Sequence, residues 1–155
     1  MAANAAHPHF ERTPHSLDTH THTQDGLRFL VPVGRLLFSA IFIASSVGHF
    51  SSGEIHQAAQ HGVPMASLLV PISGLIALFG GLSVLFGFKA RFGAWLLILF
   101  LIPVTLAMHA FWAASDPATK MMQQIMFMKN VTMIGGALLI AYFGAGPVSF
   151  DERRQ

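Results

Sequence analysis

Apolar positions along this 155-residue chain fall in long blocks rather than in alternation. Four blocks dominate, at about residues 27–50, 65–88, 92–115 and 125–145. As α-helices rising about 1.5 Å per residue, runs of about 20 residues cross a hydrocarbon core of about 30 Å. The second and third blocks carry no Asp, Glu, Lys or Arg. Between the blocks lie SSGEIHQAAQHGVP, the turn Lys89–Arg91, and DPATKMMQQ. Links this short make consecutive helices antiparallel neighbours. The pattern therefore predicts an all-α integral membrane protein, a four-helix up-down-up-down bundle over residues 27–147. A polar tail, 1–26, precedes it and a short tail, 148–155, follows.

Composition agrees with this pattern. The chain is 53% hydrophobic and 10% charged, against about 25% charged residues in soluble domains. So few charges cannot cover a water-facing surface. The absence of cysteine excludes disulfides, iron–sulfur clusters and thiolate metal sites. No secretory leader is visible, because the first apolar run follows a polar tail and is too long for a signal core.

The charges also give a direction. Arg12, Arg28, Arg35, Lys89, Arg91, Arg153 and Arg154 fall on the side of the termini, Lys120 alone falls opposite, and Lys129 lies within the fourth block. The positive-inside rule then places both termini in the cytoplasm. The expected location is a bacterial cytoplasmic (inner) membrane, with lipid as the surrounding partner and an oligomer left open. No basic cluster or aromatic platform suggests nucleic acid.

The tail carries His7, His9, His15, His20 and His22 among Pro, Thr, Asn and Asp. Such a composition reads as disordered. The His20/His22 spacing could hold a metal weakly, but no carboxylate or thiol completes a site, so no metal site is expected.

Small residues at four-residue spacing, Ala40/Ala44/Gly48, Ser73/Ala77/Gly81 and Ala137/Ala141/Ala145, suggest close helix packing. Pro71 and Pro103 each remove a backbone hydrogen bond inside a span. Arg35, Ser39, Phe42, Ser46 and His49 share one face of the first helix, with Arg35 expected to reach the cytoplasmic headgroups.

Ionisable groups within spans are costly and ask for a reason. His49 and His109 lie near the outer ends of the first and third spans. Lys129 and Asn130 lie about one turn below the outer end of the fourth. If these faces meet, His49, His109 and Lys129 surround an outward-opening pocket with Phe111 or Trp112 nearby. Plainer readings exist: an interfacial imidazole at His49, a snorkelling Lys129, ordinary interfacial aromatics at Phe111 and Trp112. His109 is harder to dismiss, since uncharged sequence flanks it. A pocket of this kind could donate hydrogen bonds to a quinone, the candidate cofactor, while two histidines at similar depth leave haem as a weaker alternative.

The segments GRLLFSAIFIASSVGHF, GGLSVLFGF, KARFGAWLL, HAFW at 109–112 and MFMKNVTMIGGALLIAYFGAGPVSFD at 126–151 together resemble the DoxX family of small four-helix membrane proteins. The resemblance spans about Gly34 to Asp151. It implies a quinone-interacting subunit of a membrane oxidoreductase with a partner redox subunit supplying electrons. The alternatives are a non-catalytic membrane scaffold and a small-molecule transporter. His109, Phe111, Trp112, Lys129 and Asn130 match family-like motifs. Ala77 stands where many relatives carry a glutamate, which puts any mechanism using that carboxylate in doubt.

Overall fold

A computed structural model describes residues 27–154. The His-rich tail, with all its proposed metal and disorder properties, lies outside the described residues. Among the described residues there are five α-helices and no strand: α1 (Leu30–Ser46), α2 (Ser52–Gln60), α3 (Ala66–Phe86), α4 (Ala90–Met108) and α5 (Pro117–Phe143). Short 3-10 turns follow α1 at Gly48–Phe50, α4 at Phe111–Ala113 and α5 at Glu152–Arg154. Four of the segments, Leu30–Phe50, Ala66–Phe86, Ala90–Ala113 and Pro117–Phe143, are long and apolar enough to cross a membrane. The chain is a multi-pass all-α membrane protein.

Consecutive spans pack antiparallel. Gly74 lies against Ser46 of α1 and His49 in the turn after it, while Gly81, two turns on, lies against Ser39 and Phe42 of α1. Gly80 and Gly93 bring α3 and α4 together at their shared turn, each close to the other's carbonyl. Larger side chains at these positions would push the backbones apart, which is the reason for small residues here. Phe42, Val84, Leu97 and Leu101 fill the centre and Ala77 and Ala137 are wholly buried. The stripes built on Ala77 and Ala137 therefore pack inward. The stripe Ala40/Ala44/Gly48 does not, since Ala40 and Ala44 are exposed on the outer surface of α1. The inward face of that helix is Arg35, Ser39, Phe42 and Ser46, the face that the spacing predicted.

Local signals explain the helix ends. Ser51 accepts a hydrogen bond from Glu54 N–H and caps α2. Asp116 accepts one from Thr119 N–H (2.8 Å), and Pro117 opens α5, where its missing N–H costs nothing. Gly87, at φ +61°, closes α3 in the left-handed region that glycine tolerates best. The fourth span, expected over about 125–145, is helical from Pro117, so Lys120 belongs to a helix. Lys129 then lies twelve residues along α5, about 18 Å from its first residue, rather than one turn below an end.

Arg35 corrects a second expectation. It is 5% exposed and does not reach out to headgroups. Its guanidinium donates to Ala145 O (2.9 Å) and Val148 O (2.6 Å), because these carbonyls follow the end of α5 and have no helical partner. Beside it, Asp151 accepts from Lys89 N–H (2.8 Å) and Ala90 N–H (3.0 Å). The segment after α5 thus caps α4 from a distance and closes the end of the bundle nearest the termini.

Candidate functional site

At the opposite end the helices line a half-open cavity of about 680 Å³, within the range of about 300–1,000 Å³ usual for a small-molecule site. All five helices contribute to its wall. Much of the lining is apolar, formed by side chains such as Phe42, Ile76, Phe100 and Met133, and its polar groups include His49, Glu54, Gln57, His109, Lys129 and Asn130.

His49 stands in the 3-10 turn after α1. Its Nδ1 is 3.0 Å from Ser45 O and 3.6 Å from Glu54 Oε2. Both partners are acceptors, so Nδ1 carries the proton and Nε2 is left for another group. Gly74 gives the ring room, since a Cβ there would come within 2.6 Å of His49 Cβ, and Phe100 packs against the ring at 5.6 Å. Glu54 in turn folds over Gly48, in space that any side chain would fill.

His109 ends α4 as its C-cap. Its Nδ1 is 2.9 Å from Gln123 Oε1 on α5, which answers the need for a partner. The amide oxygen accepts, so this ring also keeps Nε2 uncommitted.

Lys129 and Asn130 differ from both histidines. Lys129 is exposed; its Nζ donates to Met126 Sδ at 3.5 Å and forms no ion pair among the described residues. Asn130 is 4% exposed, lines the cavity, and has no side-chain hydrogen bond among the described residues. Buried amides are ordinarily paired, so this one is notable.

Four of the six residues singled out in the sequence, His49, His109, Lys129 and Asn130, thus line one cavity. Phe111 and Trp112 do not. The helix stops at Met108, and the following turn carries both rings onto Phe127, where three edge-on contacts of 5.1–5.9 Å form. Glu54, which the sequence places in the external connection above these groups, completes the arrangement together with Gln57 and Gln123, which no sequence signal marks. Outside the spans, the Thr119 backbone N–H holds the Asp116 carboxyl below its ordinary value.

Among the described residues no three His, Cys, Asp or Glu come together as metal ligands. The arrangement offers polar groups at two depths in a largely apolar pocket, His49 and His109 near its end and Lys129 and Asn130 about two turns further along α5, and no group in it is placed as an activated nucleophile.

The model of the SURF4 family matches residues 15–155, almost the whole chain, and the chain belongs to that family. This overturns the resemblance to the DoxX family. The reading as a quinone-oxidoreductase subunit falls with it. The segments that carried the resemblance are Gly-, Ala- and Phe-rich helix faces, and packed membrane bundles draw on these residues generally. No solved structure matches this chain.

Proposed function

Taking membership of the SURF4 family as its premise, we propose that the protein is a non-catalytic membrane protein that binds an amphiphilic molecule inside its bundle. The apolar body of that molecule lies among Phe42, Phe100 and Met133, and its polar head meets Lys129, Asn130, His49 and His109. The observation that supports this most is Asn130, a residue only 4% exposed whose amide has no protein partner among the described residues and opens onto the cavity. A scaffold needing only internal packing would gain by placing an apolar residue there.

The orientation that goes with this reading puts the termini in the cytoplasm. Arg28, Lys89, Arg91 and Arg153 all belong to the end of the bundle near the termini, and the positive-inside rule favours that side. Arg35 no longer contributes to the count, because it is committed to backbone carbonyls. The end of the cavity that holds His49 and His109 then faces the outer side of the membrane.

The test is native mass spectrometry of the protein purified in a mild detergent, beside a variant with the cavity filled by Ser73→Phe. The expected result is a co-purifying amphiphile in the wild type and its loss in the variant. An empty wild-type protein that also fails to take up added single-chain amphiphiles overturns the reading.

A further inference from the structure

Acidic groups among the described residues are few, and three of the four are committed elsewhere. Asp116 caps α5 through Thr119 N–H. Asp151 caps α4 through Lys89 N–H and Ala90 N–H. Glu152 accepts from Val148 N–H and pairs with Arg28. Glu54 is the one carboxylate on the cavity wall, and it stands beside His49. Lys129, an exposed residue of a membrane-spanning helix that also lines the cavity, has no carboxylate within ion-pair distance among the described residues. An ammonium in a span is stable only when something answers its charge.

The neighbouring residue points the same way. Asn130 is nine-tenths buried or more, unpartnered among the described residues, and turned to the same cavity. Its NH₂ and the ammonium of Lys129 together supply up to five N–H donors. The histidines supply none in their neutral forms, since each Nδ1 proton is used within the protein. Fixed positive charge and fixed donors thus come from adjacent positions of α5.

We infer that the amphiphile bound in this cavity carries an anionic head, a carboxylate or a phosphate ester, held by Lys129 and Asn130, on a single apolar chain. This rests on the amphiphile reading given above and adds the charge of the head. A negative head supplies the missing counter-charge and accepts from Asn130. The chain lies along the apolar lining of the cavity, whose volume is that of a single small-molecule site.

The test compares hexadecanoate, hexadecyl phosphate and hexadecanol as probes, titrated against the full protein in zwitterionic nanodiscs. The wild type is expected to bind at least one of the two anions about tenfold or more tightly than the alcohol, as a charge-assisted hydrogen bond implies. The tighter of the two anions tells carboxylate from phosphate. Lys129→Met is expected to abolish the preference while leaving hexadecanol binding in place, Lys129→Arg to keep it, and Asn130→Leu to weaken it. Lys120→Met, at the start of the same helix, is the control for general attraction to charge and is expected to bind like wild type. Equal losses in Lys120→Met and Lys129→Met overturn the inference, as does equal wild-type affinity for alcohol and anions. In that last case binding of amphiphiles itself stands. Failure of all three probes to bind overturns both.

Discussion

The two ends of this bundle are built from similar materials and treat polar groups in opposite ways. Near the termini, polar side chains are consumed by the fold. Arg35 is buried against the carbonyls of Ala145 and Val148, and Asp151 is spent on the first N–H groups of α4. At the other end, polar side chains are held at a cavity with capacity to spare. Asn130 has no partner among the described residues, Lys129 has only a thioether, and two imidazoles each retain a nitrogen. Burial alone does not separate the ends, since Arg35 and Asn130 are almost equally hidden. What they face does. Arg35 is turned to backbone carbonyls, although its Nε is the one wholly buried side-chain atom without a partner among the described residues, whereas Asn130 is turned to a cavity.

The widest separation between the ends is expected from two substitutions of the same kind. Arg35→Leu leaves two carbonyls without donors and should cost about 2–4 kcal/mol, seen as a lowered melting temperature in detergent. Asn130→Leu should leave stability unchanged or raise it by up to about 1 kcal/mol, because the amide has no partner among the described residues to lose. A large loss at Asn130 together with a small one at Arg35 would reverse the assignment of the two ends.

Asp151→Ala should cost about 1 kcal/mol through loss of the cap on α4. Hydrogen exchange should then speed up in residues 89–93 and remain unaltered around His109. The smallest effect is expected at Asp116, whose carboxyl is held below its ordinary value by Thr119 N–H. Its charged form therefore stabilises the fold at neutral pH, and that contribution fades as the pH falls through the lowered folded value. Asp116→Asn keeps the cap chemistry and removes the titration. Its stability should differ from wild type most at neutral pH and converge with it in acid, as a pair of pH-dependent melting curves would show.

The chain's helical periods carried much of this arrangement. Spacing alone placed Arg35, Ser39, Phe42 and Ser46 on one buried face, since a 3.6-residue repeat leaves little freedom. The polar residues of the spans also pointed to His49, His109, Lys129 and Asn130. Two signals were present and carried no weight in the reading. Ser51 followed three residues later by Glu54 is a helix-start pattern and marks α2, and Asp116-Pro117 marks the true start of α5. What no local pattern could supply is pairing over distance. Gln123 meets His109 only once α4 and α5 are packed, and Asp151 reaches Lys89 only once the bundle has closed. Phe111 and Trp112 lie outside the cavity lining for a related reason, because the helix was expected to run on past Met108 and instead gives way to a turn.

The cap that Asp151 places on α4 also bears on how the molecule is made. During synthesis α4 leaves the ribosome some sixty residues before its cap does, so this helix enters the membrane with its first N–H groups unanswered. Only when the segment after α5 emerges can the end near the termini lock, and it does so around Arg35, which has by then waited still longer. Closure is therefore a late event in biogenesis. A chain stalled before residue 151 would hold all four spans and yet lack the clasp that fixes them.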